Sequence, residues 1–135
     1  MDTTPAEPFA RIIELALSIF AEVTYTFDTT PARSILRLQA KYGHYQVVVT
    51  ELLGESVRKY RYYLLHGNWV EAGFDNSPDP RAIRLKYGRI GPEQIGEQIP
   101  HLHRADKTQL FLTEEFTFAS FVNWVNKNIN IDAGS

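Results

Sequence analysis

Between Ser34 and Asn76 the chain shows four strand-length runs of β-forming residues, joined by three short turns that each carry a glycine. In the first run, Leu36, Leu38, Ala40 and Tyr42 fall on one face and Arg37, Gln39 and Lys41 on the other. That period of two is the mark of a half-buried strand. Gly43-His44 turns the chain into Tyr45–Leu53, which is β-rich around Val47-Val48-Val49, and Gly54-Glu55-Ser56 turns it again. Val57–His66 and Trp69–Asn76 follow, separated by Gly67-Asn68. Short turns between successive strands predict an antiparallel meander of four strands. The third run places Arg58, Tyr60, Tyr62, Leu64 and His66 on one face and Lys59, Arg61, Tyr63 and Leu65 on the other. Such a sheet is expected to have one face covered by helix and one partly solvated.

Helical patterns flank the meander. From Phe9 to about Ala21, residues Phe9, Ile12, Ile13, Ala16, Leu17 and Phe20 recur at helical spacing, and Phe27–Pro31 reads as a turn-rich link. Asp79-Pro80 suits a helix start, with Asp79 as cap and Pro80 in the first turn, over Arg81–Tyr87. Residues 88–110 read as largely irregular. Thr113 followed by Glu114-Glu115 marks a last helix start, with Phe118, Phe121, Val122 and Val125 as its apolar stripe. The expected class is α+β, with an N-terminal helix, the four-stranded sheet, a short helix and a C-terminal helix. The 135 residues fit a single domain, 1–135, frayed at 1–8 and 130–135.

The composition excludes several chemistries. Without cysteine there is no disulfide, thiolate zinc site or cysteine nucleophile. The longest apolar stretch, Ile12–Val23, is interrupted by Glu14, Ser18 and Glu22 and is too polar and short to span a bilayer. No membrane partner is expected, and the location expected is cytoplasmic. There is no glycine-rich phosphate loop, nucleophile elbow, dinucleotide fingerprint or His-Glu-x-x-His motif. Charge is uneven: residues 56–107 carry nine Lys/Arg against six Asp/Glu, while both flanks are acidic. A basic centre suits RNA or an acidic partner chain, and an ordinary mixed surface gives the same count.

The groups able to move protons cluster after the fourth run. Asp75-Asn76 sits where that strand ends. There a carboxyl can act as a base or orient a histidine, and an amide can hold a phosphate; equally, both side chains can cap their own turn. His101 and His103 lie two apart in Ile99-Pro100-His101-Leu102-His103 and point the same way if extended. They suit an acid–base pair, two ligands of a divalent metal with Asp75 or Asp106 as third, or exposed loop histidines. Arg81, Arg84, Lys86 and Arg89, with Arg104 and Lys107 beyond, can hold phosphates or form a solvated face. Tyr60, Tyr62, Tyr63 and Tyr87 can stack on unpaired bases or pack the core.

The pattern Tyr60-x-Tyr62-Tyr63, Gly67-x-Trp69-Val70, Phe74-Asp75-Asn76-Ser77-Pro78 and then Ile99-Pro100-His101-Leu102-His103 resembles the TumE-like toxins of bacterial and archaeal type II toxin–antitoxin systems. The likeness follows the order of elements over residues 33–129 and is specific over Tyr60–His103. Asp75, Asn76, Pro78, Pro100, His101 and His103 match that family's signature. Asp79-Pro80 stands where the family usually has two histidines, and Leu102 replaces a frequent histidine. The resemblance implies a small α+β toxin with an antitoxin protein as partner; homo-oligomerisation is compatible with it. We read the chain as a metal-independent ribonuclease without cofactor. Asp75, His101 and His103 would be its acid–base groups, and Asn76, Arg81, Arg84, Arg104 and Tyr62 its substrate contacts. The alternative is a non-catalytic protein-binding module, or an inactive relative in which the missing histidine pair matters.

Overall fold

The computed structural model describes residues 6–130. Its elements run α1 (Glu7–Ile19), β1 (Ala21–Thr29), β2 (Arg33–Tyr42), β3 (Tyr45–Gly54), β4 (Arg58–His66), β5 (Trp69–Asp75), α2 (Pro80–Tyr87), β6 (His101–Arg104), β7 (Gln109–Leu112) and α3 (Phe118–Asn128). All the strands join one antiparallel sheet, ordered β1 to β7 as in the chain.

The α+β class and the three helices match expectation, but the sheet has seven strands rather than four. The expected meander is β2–β5. β1 follows helix α1 almost without a break: the helix stops at Ile19, and the Phe20 N–H still bonds Ala16 O (2.8 Å). The chain then turns directly into an edge strand, irregular between Ala21 and Thr24, on which Tyr25 and Phe27 pair with core-facing Leu38 and Leu36 but Tyr25 stays half-exposed. Phe27–Thr29, expected as part of a turn-rich link, are its last residues. β6 and β7 are four residues each, too short to display a period. Their turn places Ala105, Asp106 and Lys107 at positive φ without a glycine to announce it. Glu7 and Pro8 are already helical, so fraying over 1–8 does not extend to them; residues 1–5 and 131–135 lie outside the described residues. The last helix starts at Phe118 with Thr117 as cap, later than Thr113. Thr113 is held extended by its N–H to Pro100 O (3.1 Å), and the Phe116 N–H bonds Tyr60 Oη (3.1 Å). These tertiary contacts override a local capping signal.

One sheet face carries the main core. Leu36, Leu38, Val47, Val49, Tyr62, Leu64 and Phe74 meet Phe9, Ile13 and Ala16 of α1 and Phe118, Phe121, Val122 and Val125 of α3. Phe74 stacks on Phe116 at 4.2 Å and meets Trp124 edge-on at 5.2 Å, contacts worth about 0.5–1.5 kcal/mol each beyond burial. At one edge of this core lies a polar hub. Arg58 donates to Glu51 (2.6 Å), Tyr62 Oη (2.7 Å), Glu115 (2.8 Å) and Phe116 O (2.8 Å), and the Tyr62 hydroxyl donates to Glu51.

The opposite face is covered only toward β7. There α2 packs down, with Ala82, Ile83 and Ile99 forming a small second cluster against Ile90 and Leu110. Among the described residues, no helix is long and apolar enough to cross a membrane.

Candidate functional site

The second face, where α2 begins, gathers the titratable residues. Antiparallel register pairs Asp75 directly with His101 and Gly73 with His103, so residues 101–103 do return to the end of β5. Strand alternation then sends His101 and His103 to the α2 side, and Leu102 and Arg104 to the α3 side. Leu102 packs on the main core. Arg104 lies over the Trp124 ring (5.0 Å) and bonds Glu71 O (2.8 Å). Tyr62 is likewise on the helix-covered face and fully buried.

Asn76 holds the end of the neighbouring strand. Its Oδ1 accepts from Tyr60 N–H (3.0 Å) and its Nδ2 donates to Arg58 O (2.9 Å), continuing the ladder one residue past β5. Asn76→Ala removes the partner of both backbone groups, the buried Tyr60 N–H and the half-buried Arg58 carbonyl. Urea unfolding should show a loss of about 2 kcal/mol, and Asn76→Asp, which keeps only the acceptor, should not restore it.

Asp75 is fixed from two sides. Ser77 N–H bonds its Oδ1 (2.6 Å) and the Tyr63 hydroxyl its Oδ2 (3.1 Å), with Arg61 Nε at 4.0 Å. Burial pushes the Tyr63 hydroxyl up to about 12, so it remains a donor. Its ring lies over Gly73, where a Cβ would come within 2.8 Å of it. Only glycine leaves room for this approach.

The imidazoles face each other, with Nε2 atoms 3.2 Å apart. His101 Nδ1 is 2.7 Å from Ile99 O. A carbonyl can only accept, so Nδ1 carries the proton and Nε2 a lone pair. His103 Nδ1 lies 3.4 Å from an Arg81 nitrogen, a donor only, so in His103 the proton sits on Nε2 and points at His101. Around them Asp75 Oδ1 is 3.7 Å from His101, Asp75 Oδ2 is 3.8 Å from His103, and Asp79 Oδ2 is 3.9 and 4.0 Å from the two rings. His101, His103 and Asp75 are 1%, 3% and 5% exposed. Burial, then the neighbouring His101, push the His103 imidazole down to about 4; Lys107 and Arg81 add to the effect and Asp75 opposes it. Burial pushes the Asp79 carboxyl up, but hydrogen bonds from the Arg81 backbone and guanidinium outweigh it and hold the group below its usual range.

The His103 displacement has a stability consequence. Below the ordinary imidazole value of 6.5, the unfolded chain takes up a proton that folded His103 refuses until about pH 4. Its contribution is therefore complete above pH 6.5 and is lost as pH falls to about 4, amounting to roughly 3 kcal/mol. Urea unfolding across that window in the presence of chelator should show this slope in the wild type. In His103→Gln that component should be missing.

Of the residues singled out by sequence, Asp75, His101, His103 and Arg81 come together. Arg84 lies nearby, lining with Arg81, Leu85, Thr108 and Leu110 a cleft of about 360 Å³ between α2 and β7. Arg81 thus reaches from this cleft to His103, and also donates to Lys107 O (2.7 Å). Asp106 is elsewhere, with its Oδ1 on Val70 N–H (3.0 Å). Sequence reasoning left Arg61 and Asp79 out of the site and gave Tyr63 only base stacking or core packing, although strand alternation had placed Arg61 and Tyr63 on a common face; the Tyr63 hydroxyl instead holds Asp75. Asp79 was legible as a helix cap, and its Oδ1 does accept from Arg81 N–H (2.8 Å); its second oxygen gave no separate signal.

Fold and site define a small α+β protein with a buried His/Asp cluster between an antiparallel sheet and a short helix. Comparison with family models, curated proteins and solved structures finds no match to this chain. The likeness to TumE-like toxins rests on the residue pattern alone.

Proposed function

We propose that this chain is an RNA-cleaving toxin, acting in the cytoplasm and neutralised by an antitoxin protein. The observation that supports it is the meeting of Asp75, His101 and His103 beside an arginine that runs from His103 into a basic cleft. A phosphodiester held by Arg81 and Arg84 draws the Arg81 guanidinium off His103 Nδ1. With that cation drawn away and the phosphate's negative charge beside it, the His103 ring regains basicity, and its Nδ1 accepts the 2′-hydroxyl proton as the 2′-oxygen attacks phosphorus. The charge is shared across the 3.2 Å contact with His101, whose own N–H rests on Ile99 O. The proton returns to the leaving 5′-oxygen. The products are a 2′,3′-cyclic phosphate and a 5′-hydroxyl end, and the pair is neutral again.

The test is induced expression with and without the adjacent gene, scoring growth and RNA integrity, together with cleavage by purified protein in chelator. Arrest with RNA fragments bearing 5′-hydroxyl ends, relieved by the neighbour, is the expected result. Intact RNA in both settings overturns the proposal and leaves the non-catalytic binding module.

A further inference from the structure

We propose that Asp75, Asp79, His101 and His103 also form a binding site for one divalent transition-metal cation of the zinc type. Asp75, His101 and His103, from β5 and β6, form a buried cluster whose ligand atoms lie within 4.8 Å of one another, and Asp79 Oδ2, just before α2, stands 3.9 and 4.0 Å from the two imidazoles at its more open side. Nitrogens 3.2 Å apart, each about 2.05 Å from an ion, subtend about 100° at it, close to the tetrahedral value. The carboxyl oxygens, at 3.7–4.0 Å from the nitrogens, need to close by roughly half an ångström to complete a four-coordinate set. Asp79 Oδ2 is nearly equidistant from both rings, as a shared fourth ligand requires.

The surrounding contacts are those a metal site uses. His101 Nδ1 is anchored on a backbone carbonyl, which aims its Nε2 lone pair inward, and Asp75 is oriented by Tyr63 and Ser77. Two nitrogen and two oxygen donors favour zinc, cobalt or nickel over magnesium, which prefers an all-oxygen octahedron. Asp79 is the least buried of the four side chains.

Occupancy requires His103 to move its proton from Nε2 to Nδ1. The contact with Arg81 then becomes donor against donor, and Arg81, which is about half exposed, turns out toward solvent. The ion would hold both Nε2 lone pairs, so zinc should switch off the acid–base pair. This last consequence rests on the RNA-cleaving reading, whereas the binding itself does not.

Chelator-treated full-length protein is titrated with zinc chloride by calorimetry and followed by thermal unfolding, with cobalt's visible ligand-field bands reporting coordination. One ion per chain, a raised midpoint and little response to magnesium are expected. His101→Gln should weaken zinc by about 100-fold or more, since loss of an outer partner alone costs about 10–100-fold. Asp79→Asn, which keeps the helix cap, should also weaken it, and Tyr63→Phe should do so by about 10–100-fold. The exposed His44–His66 pair, with rings 4.9 Å apart, is the competing surface site. Equal zinc affinity in wild type and His101→Gln assigns the ion there and overturns the proposal, as does the absence of binding. Cleavage in chelator that persists at stoichiometric bound zinc overturns the switch. Failure of the chelated protein to cut RNA overturns the RNA-cleaving reading and leaves the metal site standing.

Discussion

His103→Ala should lower the rate of RNA cleavage by about 10²–10⁴-fold, the contribution of one positioned acid–base group. The loss should appear in kcat, because His103 meets the substrate hydroxyl only as its proton is transferred. Arg84→Ala should instead raise KM, since Arg84 lines the cleft without touching the imidazoles. The site is buried, so folding must be checked. Near-ultraviolet circular dichroism should be unchanged in His103→Asn, which retains a small polar side chain, while its activity falls with that of the alanine variant. Wild-type cleavage by both variants would remove His103 from the chemistry.

The largest stability loss should come from Arg58→Ala. Arg58 satisfies the buried Glu51 carboxyl and ties β3 and β4 to the segment before α3. Removing it leaves Glu51, 4% exposed, with only the Tyr62 hydroxyl, and stranding a buried charge costs about 3–5 kcal/mol. Burial, then the Glu51 charge, push the Tyr62 hydroxyl up, so it stays a donor and cannot substitute as a counter-charge. Arg58→Lys should recover little, because an ammonium cannot reproduce the guanidinium's fork of donors. Combining Glu51→Gln with Arg58→Met should be milder than Arg58→Ala, since no charge is stranded. A single Arg58→Ala cost below about 1 kcal/mol in urea unfolding would show the hub to be solvated.

Legibility from sequence followed the flanking turns more than length or alternation: β1 has nine residues with Val23, Tyr25 and Phe27 alternating, yet it lies between a helix end and a turn without glycine and was not read as a strand. β2–β5 could be read because each is seven residues or longer, alternates, and ends at a short glycine or asparagine turn. β6 could not, although a two-residue period applied to His101–Arg104 would have put Arg104 behind the sheet, away from the histidines. The juxtaposition of Asp75 and His101 depends on register across a long connection, which no local pattern encodes. Asn76 was legible as a polar strand end, but its actual duty, bonding the backbone of Arg58 and Tyr60, depends on which strand lies beside it.

Because strand order equals chain order, nearly every pairing closes over a turn of two to four residues, and most of the sheet can form by successive local zippering. The exception is β5 with β6, whose partners Asp75 and His101 are separated by the whole of α2 and its flanking loops. Closing that connection carries the sheet's greatest loop-entropy cost. The β6–β7 hairpin and α2 should therefore dock late in folding and exchange their amide hydrogens sooner than β2–β4. The histidine pair sits on that seam, so the site exists only while the last piece to fold remains docked.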